Sequence, residues 1–317
     1  MDISVNFGQK KQMNRSDSAA LPIPAIYDDC RIISCLKKLF ASGSKRKVKT
    51  NFIVYNNIAE IRKELKFVNK KGILELSWDY LAAMEQSLPN VVFRYVVISR
   101  NNEAILFASF QLFTLTSRSF NLEKNKGFVK RILRFFLDIK KVSVLISGNA
   151  LRNDTAGFCF NENILSVDEA AEIIASAGEK IAADEKAVAL LLKDIPVTAN
   201  THQWFANAGF ETPWKDMVMA VDIRDHWITL ADYIADLSRK YKTRAKKILA
   251  SGNKLTIKNL QQDDMLHNNK EIYRLFMNVA DNQSFVLTKP GKDHFSLLYF
   301  TRDKLVDCFY QRIGTSS

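Results

Sequence analysis

An α/β fold built on a mixed sheet is what this sequence predicts, and three patterns carry the prediction. Two runs rich in β-branched and aromatic residues, Val91 to Ser99 and Glu103 to Thr114, flank Arg100-Asn101-Asn102. Asparagine tolerates the positive φ that a hairpin turn needs. Two later runs, Val142 to Ile146 and Ala187 to Leu192, are apolar throughout and of strand length, as buried strands are. Between them Ser166-Val167-Asp168-Glu169 spells a capping box for a helix that continues to about Ala183.

The remaining elements follow in order. Residues 1–50 read as an extension, containing the short amphipathic run Cys30 to Phe40 and the polar, basic tract ASGSKRKVKT. The run suits a helix docked on the protein's own body or lying on an anionic membrane surface, and the tract suits a flexible linker. Asn57 to Val68 has helical spacing, and Ser77 can cap a second helix through Trp78, Leu81, Ala82 and Glu85. Phe128 to Ile139 reads as a basic amphipathic helix. Asn200 can cap a short helix that Gly209 ends, and Met217 to Ile223 reads as a strand. Residues 51–225 thus predict a complete domain of order α-α-β-β-(α)-β-α-β-α-β, compatible with helices on both faces of the sheet.

A long helix is then expected from Thr229, with Asp232 in the capping-box position, to Gly252. Leu230, Ile234, Leu237, Tyr241, Ala245, Ile248 and Leu249 recur at three- and four-residue spacing, which predicts one buried stripe. Its polar side carries Arg239, Lys240, Lys242, Arg244, Lys246 and Lys247. Past Gly252 a second, similar start appears: a strand at Leu255 to Leu260, a helix at Asn269 to Asn282, and another helix at His294 to Tyr310. Residues 226–317 are therefore expected to form a partial second domain.

Composition sets limits. The 317 residues are 47% hydrophobic and 25% charged, which suits a folded chain with a real core. No apolar run reaches the length of a membrane span, and the polar N-terminus lacks a signal-peptide core, so a cytoplasmic location without a transmembrane segment is expected. Cys30, Cys35, Cys159 and Cys308 form no CxxC pair, and the four histidines are dispersed, so neither a disulfide framework nor a metal site is expected. The net charge of +12 points to an anionic partner: CoA phosphates, a charged carrier, tRNA or an anionic membrane surface. Solvated surface charge is the plain alternative.

The run DYIADLSRKYKTRAKK, preceded by GFETPWKDMVMAVDI, resembles the junction between tandem domains of GNAT-type acyltransferases. The group in question is related to the bacterial Fem peptidoglycan aminoacyltransferases and the peptidogalycan biosynthesis/recognition proteins. LSWDYLAAMEQSLP, FRYVVISRNNEAILFASFQLF, LISGN and LLLKDIP resemble its early helix, first hairpin, a following strand and turn, and a later strand end. The resemblance spans residues 53–300 in several short motifs. It implies a GNAT-like domain over 51–225, a partial GNAT-like copy after it, and transfer of an acyl or aminoacyl group to an amine. The donor would be acyl-CoA or aminoacyl-tRNA. In the resembled family the second domain continues with a hairpin and a pyrophosphate loop, which this sequence lacks.

Candidate site residues follow from position. No glycine-rich pyrophosphate loop is present; Gly148-Asn149 occupies a comparable place, but making a turn is the simpler role for Gly148. Arg152 and Asp154 lie on the long loop after Ile146, where ligands are often met. Asp194, at the end of an apolar strand, fits a general base if desolvated or, the preferred reading, a cap for the turn before Pro196. Lys240, Arg244 and Lys247 face one way on the basic helix and could clamp a phosphate or carboxylate, with Tyr241 beside them toward the core. Ser238, Lys240, Tyr241 and Arg244 resemble the family's Ser-x-Lys-Tyr-x-x-Arg run. A non-catalytic remnant that binds an anionic ligand is the alternative to acyl transfer. RNA binding is a third reading, weakened by the scarcity of aromatics among the basic residues.

Overall fold

The structure is a computed structural model and describes residues 31–38, 52–61, 66–119, 142–152, 155–214, 222–252, 255–283, 285–300 and 309–313. Its strands are β1 (Arg31–Lys38), β2 (Ile53–Tyr55), β3 (Val91–Arg100), β4 (Glu103–Leu115), β5 (Val142–Ser147), β6 (Phe158–Phe160), β7 (Ala189–Val197), β8 (Glu211–Trp214), β9 (Leu255–Asn259) and β10 (Phe309–Ile313). The α-helices are α1 (Lys66–Lys71), α2 (Trp78–Ser87), α3 (Val167–Asp184), α4 (Ala199–Asn207), α5 (Leu230–Asp236), α6 (Arg239–Gly252), α7 (Gln262–Asp281) and α8 (His294–Phe300). Described residues fall in two compact units. One comprises Ile23–Asp216 with Gln262–Val306, the other Met217–Gln261 with Asp307–Ser317.

The larger unit is an α/β body around a mixed sheet of order β2-β3-β4-β5-β7-β1-β8, with β6 pairing β4 off this path. Strands β5 and β7 run parallel; the other described pairs in this sheet are antiparallel. The hairpin β3–β4 turns at Asn101 and Asn102, both at positive φ (52° and 63°), as the asparagine pair predicts. Side chains alternate between two buried layers. Val96, Ile98, Leu106, Ala108, Phe110 and Leu112 meet α3, whereas Phe93, Tyr95, Val97, Phe107 and Phe113 meet α2 and the 3-10 turn at Ile58–Ile61. Each fully buried Leu or Phe stabilises such a core by roughly 1.5–3 kcal/mol. Close approach of α3 depends on small residues: a Cβ at Gly178 would lie 3.1 Å from Leu190 and Phe110 side-chain carbons.

Several elements match the sequence. Ser77 caps α2, and Ser166 with Glu169 forms the capping box of α3. Others differ. Thr198, not Asn200, caps α4, because its side chain accepts from Thr201 N. Cys30 to Phe40 is not a helix: Arg31–Lys38 is a strand between β7 and β8, completing a sheet that residues 51–225 alone do not complete. Phe309 and Tyr310 belong to β10, so the last predicted helix is in fact α8 followed later by a strand paired with β9. The helix expected at 128–139 and most of the strand expected at 217–223 lie outside the described residues.

The expected boundary at 225 also differs from the division seen. Helices α7 and α8 belong to the larger unit, where α8 packs on α2. Gly291 N donates to Ser87 O (2.7 Å), His294 Nδ1 lies 2.8 Å from Ser87 Oγ, and the rings of Phe276 and Phe295 meet edge-on. Ile272, Phe276, Phe295 and Leu298 are half-buried there, whereas Leu275 and Val279 on α7 are exposed.

Candidate functional site

Strand β4 changes partner in mid-course. Phe110 faces Ser147 of β5, whereas Ala108 faces Phe158 of β6. Ser109, between them, donates its N–H to Gly157 O (2.8 Å) and accepts from Gly148 N (2.9 Å). Gly148, at φ +93°, lies so close against Gly157 that a Cβ on Gly157 would overlap the Gly148 backbone. The chain therefore leaves the sheet after Gly148 and rejoins it at Gly157, at a single rung. Arg152 stands on this excursion; Asp154 lies outside the described residues.

The excursion is tied to α2 and the turn before it. Asn149 Nδ2 donates to Tyr80 Oη (2.7 Å), Gln111 Oε1 accepts from Ala150 N (3.1 Å), and Arg152 Nη1 pairs with Glu75 (2.8 Å). Beneath it lies a small cavity lined by Glu75, Tyr80, Ser109, Gln111, Asn149 and Thr155 together with the apolar Leu76, Leu81 and Met84, with room for about one water molecule. Burial raises the Tyr80 phenol above its ordinary range, and the bond from Asn149 works against that rise.

Asp194 sits where β5 and β7 part. The two strands pair from Val144↔Ala189 to Ser147↔Leu192 and no further. On its other side β7 pairs with β1 through Leu192↔Cys35 and Ile195↔Ile33, so Lys193 and Asp194 together oppose Ser34 alone. This is a β-bulge, and Asp194 takes its left-handed position at φ 52°. No turn precedes Pro196: β7 runs on to Val197, which corrects the turn-capping reading of Asp194. Lys193 Nζ instead bonds the buried Asp194 carboxylate and also donates to Arg152 O (2.7 Å). Arg152 and Asp194 are thus brought together through a lysine that neither motif nor spacing singles out. Its one sequence signal is a charged pair, Lys193-Asp194, interrupting the apolar run from Ala189 to Val197.

The basic helix is organised differently from expectation. It breaks at Leu237, whose extended backbone (φ −66°, ψ 147°) ends α5, and α6 restarts after Ser238. Serine favours helix starts over interiors because its hydroxyl competes for backbone groups. Ile234 is buried, but nothing on α6 is. Tyr241, expected toward the core, is 55% exposed. Lys240, Arg244 and Lys247 are exposed, with no ion pair to any described residue. They belong to the smaller unit, whereas Arg152 and Asp194 belong to the larger. Of the aromatics preceding the helix, Phe205 and Phe210 are core, and Trp227 donates to Asp236 (2.8 Å).

The N-terminus of α3 is closed by its own residues. Ser166 N and Oγ donate to Glu169 Oε2 (2.8 and 2.9 Å), and Glu169 N donates to Ser166 Oγ (3.2 Å). A carboxylate occupies the position that would otherwise favour phosphate. Among the described residues no group of three or more His, Cys, Asp or Glu is placed to hold a metal ion. Nor is any described helix long and apolar enough to cross a membrane. No protein-family model, curated protein or solved structure matches the chain.

Proposed function

We propose that the chain is an acyltransferase of GNAT type, bringing an acyl or aminoacyl donor to an amine beside Lys193, Asp194 and Arg152. The observation that carries this reading is the order β2-β3-β4-β5-β7, in which an antiparallel hairpin leads to a parallel pair joined across α3. The succession along the chain of hairpin, strand, helix and strand is the one the family resemblance implies, and ligands of α/β sheets favour the carboxyl ends of parallel strands where the chain path diverges.

The chemistry asks little of the protein. An amine nitrogen attacks the donor carbonyl carbon, the bond to the leaving thiol or ribose hydroxyl breaks, and the amine proton must be taken up. Lys193 and Arg152 supply positive charge for the oxyanion. Asp194 takes one proton from the incoming ammonium once it displaces Lys193, which frees the nitrogen lone pair for attack. The second proton lost on amide formation passes to the leaving sulfur or ribose oxygen.

The capped N-terminus of α3 favours a second reading, a non-catalytic binding module, because it leaves no cradle for CoA phosphates on that helix. Thermal shift with acetyl-CoA, aminoacyl-tRNA, uncharged tRNA and buffer separates the two. Transfer predicts stabilisation by one donor and its loss in Arg152→Gln, whose side chain is 54% exposed and whose removal spares the core. An intact fold that no donor stabilises would leave the binding module standing.

A further inference from the structure

Helix α6 differs from an ordinary surface helix in two ways at once. Its fourteen residues, RKYKTRAKKILASG, carry six cations and no carboxylate. Its apolar residues also face outward: Tyr241 is 55%, Ile248 62% and Leu249 44% exposed, with half-buried Ala245 among them. Spacing of i, i+4, i+7 and i+8 puts these four on one strip, and Lys242 and Arg244 fall on either side of it. The other four cations lie around the opposite side. Ile223 and Ile228, earlier in the same unit, are likewise exposed.

We infer that α6 is a membrane-surface helix that seats its apolar strip in an anionic lipid bilayer. A bilayer surface satisfies both halves of the helix. Acyl chains take Tyr241, Ile248 and Leu249 out of water, while Lys242 and Arg244 extend their stems along the strip and reach the headgroups. A nucleic acid would neutralise the cations but leave the apolar strip in water. A helix carrying only cations meets its complement in a surface dense in negative charge. This inference stands apart from the acyl-transfer reading, which rests on the other unit.

Vesicle flotation of the full chain tests it, with phosphatidylglycerol/phosphatidylcholine vesicles, phosphatidylcholine vesicles, and a tRNA pool as competitor. Wild type should float with the anionic vesicles alone. Lys242→Gln/Arg244→Gln, which removes the two cations flanking the strip, should bind roughly 30-fold more weakly, at about 1 kcal/mol per cation near the surface. Tyr241→Ser/Ile248→Ser/Leu249→Ser should also lose binding, and the fluorescence of Ile248→Trp should shift to the blue on anionic vesicles. None of these positions is buried, so thermal unfolding should match wild type. Absence of flotation, or flotation unchanged in the serine variant, would overturn the inference. So would tRNA binding as tight in the serine variant as in wild type without any vesicle binding, which would make α6 a nucleic-acid helix.

Discussion

Acidification should unlatch α8 from α2, and His294 sets the size of the effect. Its imidazole is buried against Ser87, and burial lowers its pKa from the ordinary 6.5 to about 4. Since the folded pKa is the depressed one, the unfolded chain takes up the proton first as pH falls. The contribution is therefore complete above pH 6.5, declines between 6.5 and 4, and is gone below. Linkage over that window gives a loss of about 2 kcal/mol at pH 5 relative to pH 8, approaching about 3 kcal/mol below pH 4. Urea unfolding of wild type and His294→Gln at pH 8 and pH 5 isolates this loss. Burial raises the Glu85 carboxyl, which acts in the opposite sense, but it is common to both proteins and cancels in the difference. The glutamine variant should start less stable at pH 8 and lose about 2 kcal/mol less on acidification. Equal losses in the two proteins would refute the account of His294 as a neutral latch.

Two further outcomes follow from the sheet. Gly157→Ala should disrupt the rung at Ser109, because the new methyl overlaps the Gly148 backbone; a loss of roughly 3 kcal/mol or more, or failure to accumulate folded protein, is expected by chemical denaturation. Lys193→Met should cost roughly 3–5 kcal/mol by stranding the buried Asp194 carboxylate, whereas Lys193→Met with Asp194→Leu should recover much of it. A double variant no more stable than the single one would mean that the bulge itself requires the aspartate.

Local signals in the sequence determined local structure. The hairpin at Asn101-Asn102, the capping boxes at Ser166 and Thr229, and the apolar runs of β5 and β7 depend on neighbours within a few residues, and each forms as its pattern predicts. Asp194 and Arg152 were also legible as candidates, because a charge in or after an apolar strand stands out in one dimension.

Tertiary structure decided what depends on distant partners. Arg31–Lys38 is amphipathic enough for a helix, but the free edges of β7 and β8 make it a strand, and no spacing within the segment records that those edges exist. Lys193 joins Arg152 to Asp194 across 41 residues, and Tyr80 meets Asn149 across 69. The stripe from Leu230 to Leu249 reads as continuous, yet Ser238 divides it, and of its described positions only Ile234 is buried. Periodicity says which side of a helix is apolar. Whether anything covers that side is a property of the other surfaces, and on α6 it is left facing out.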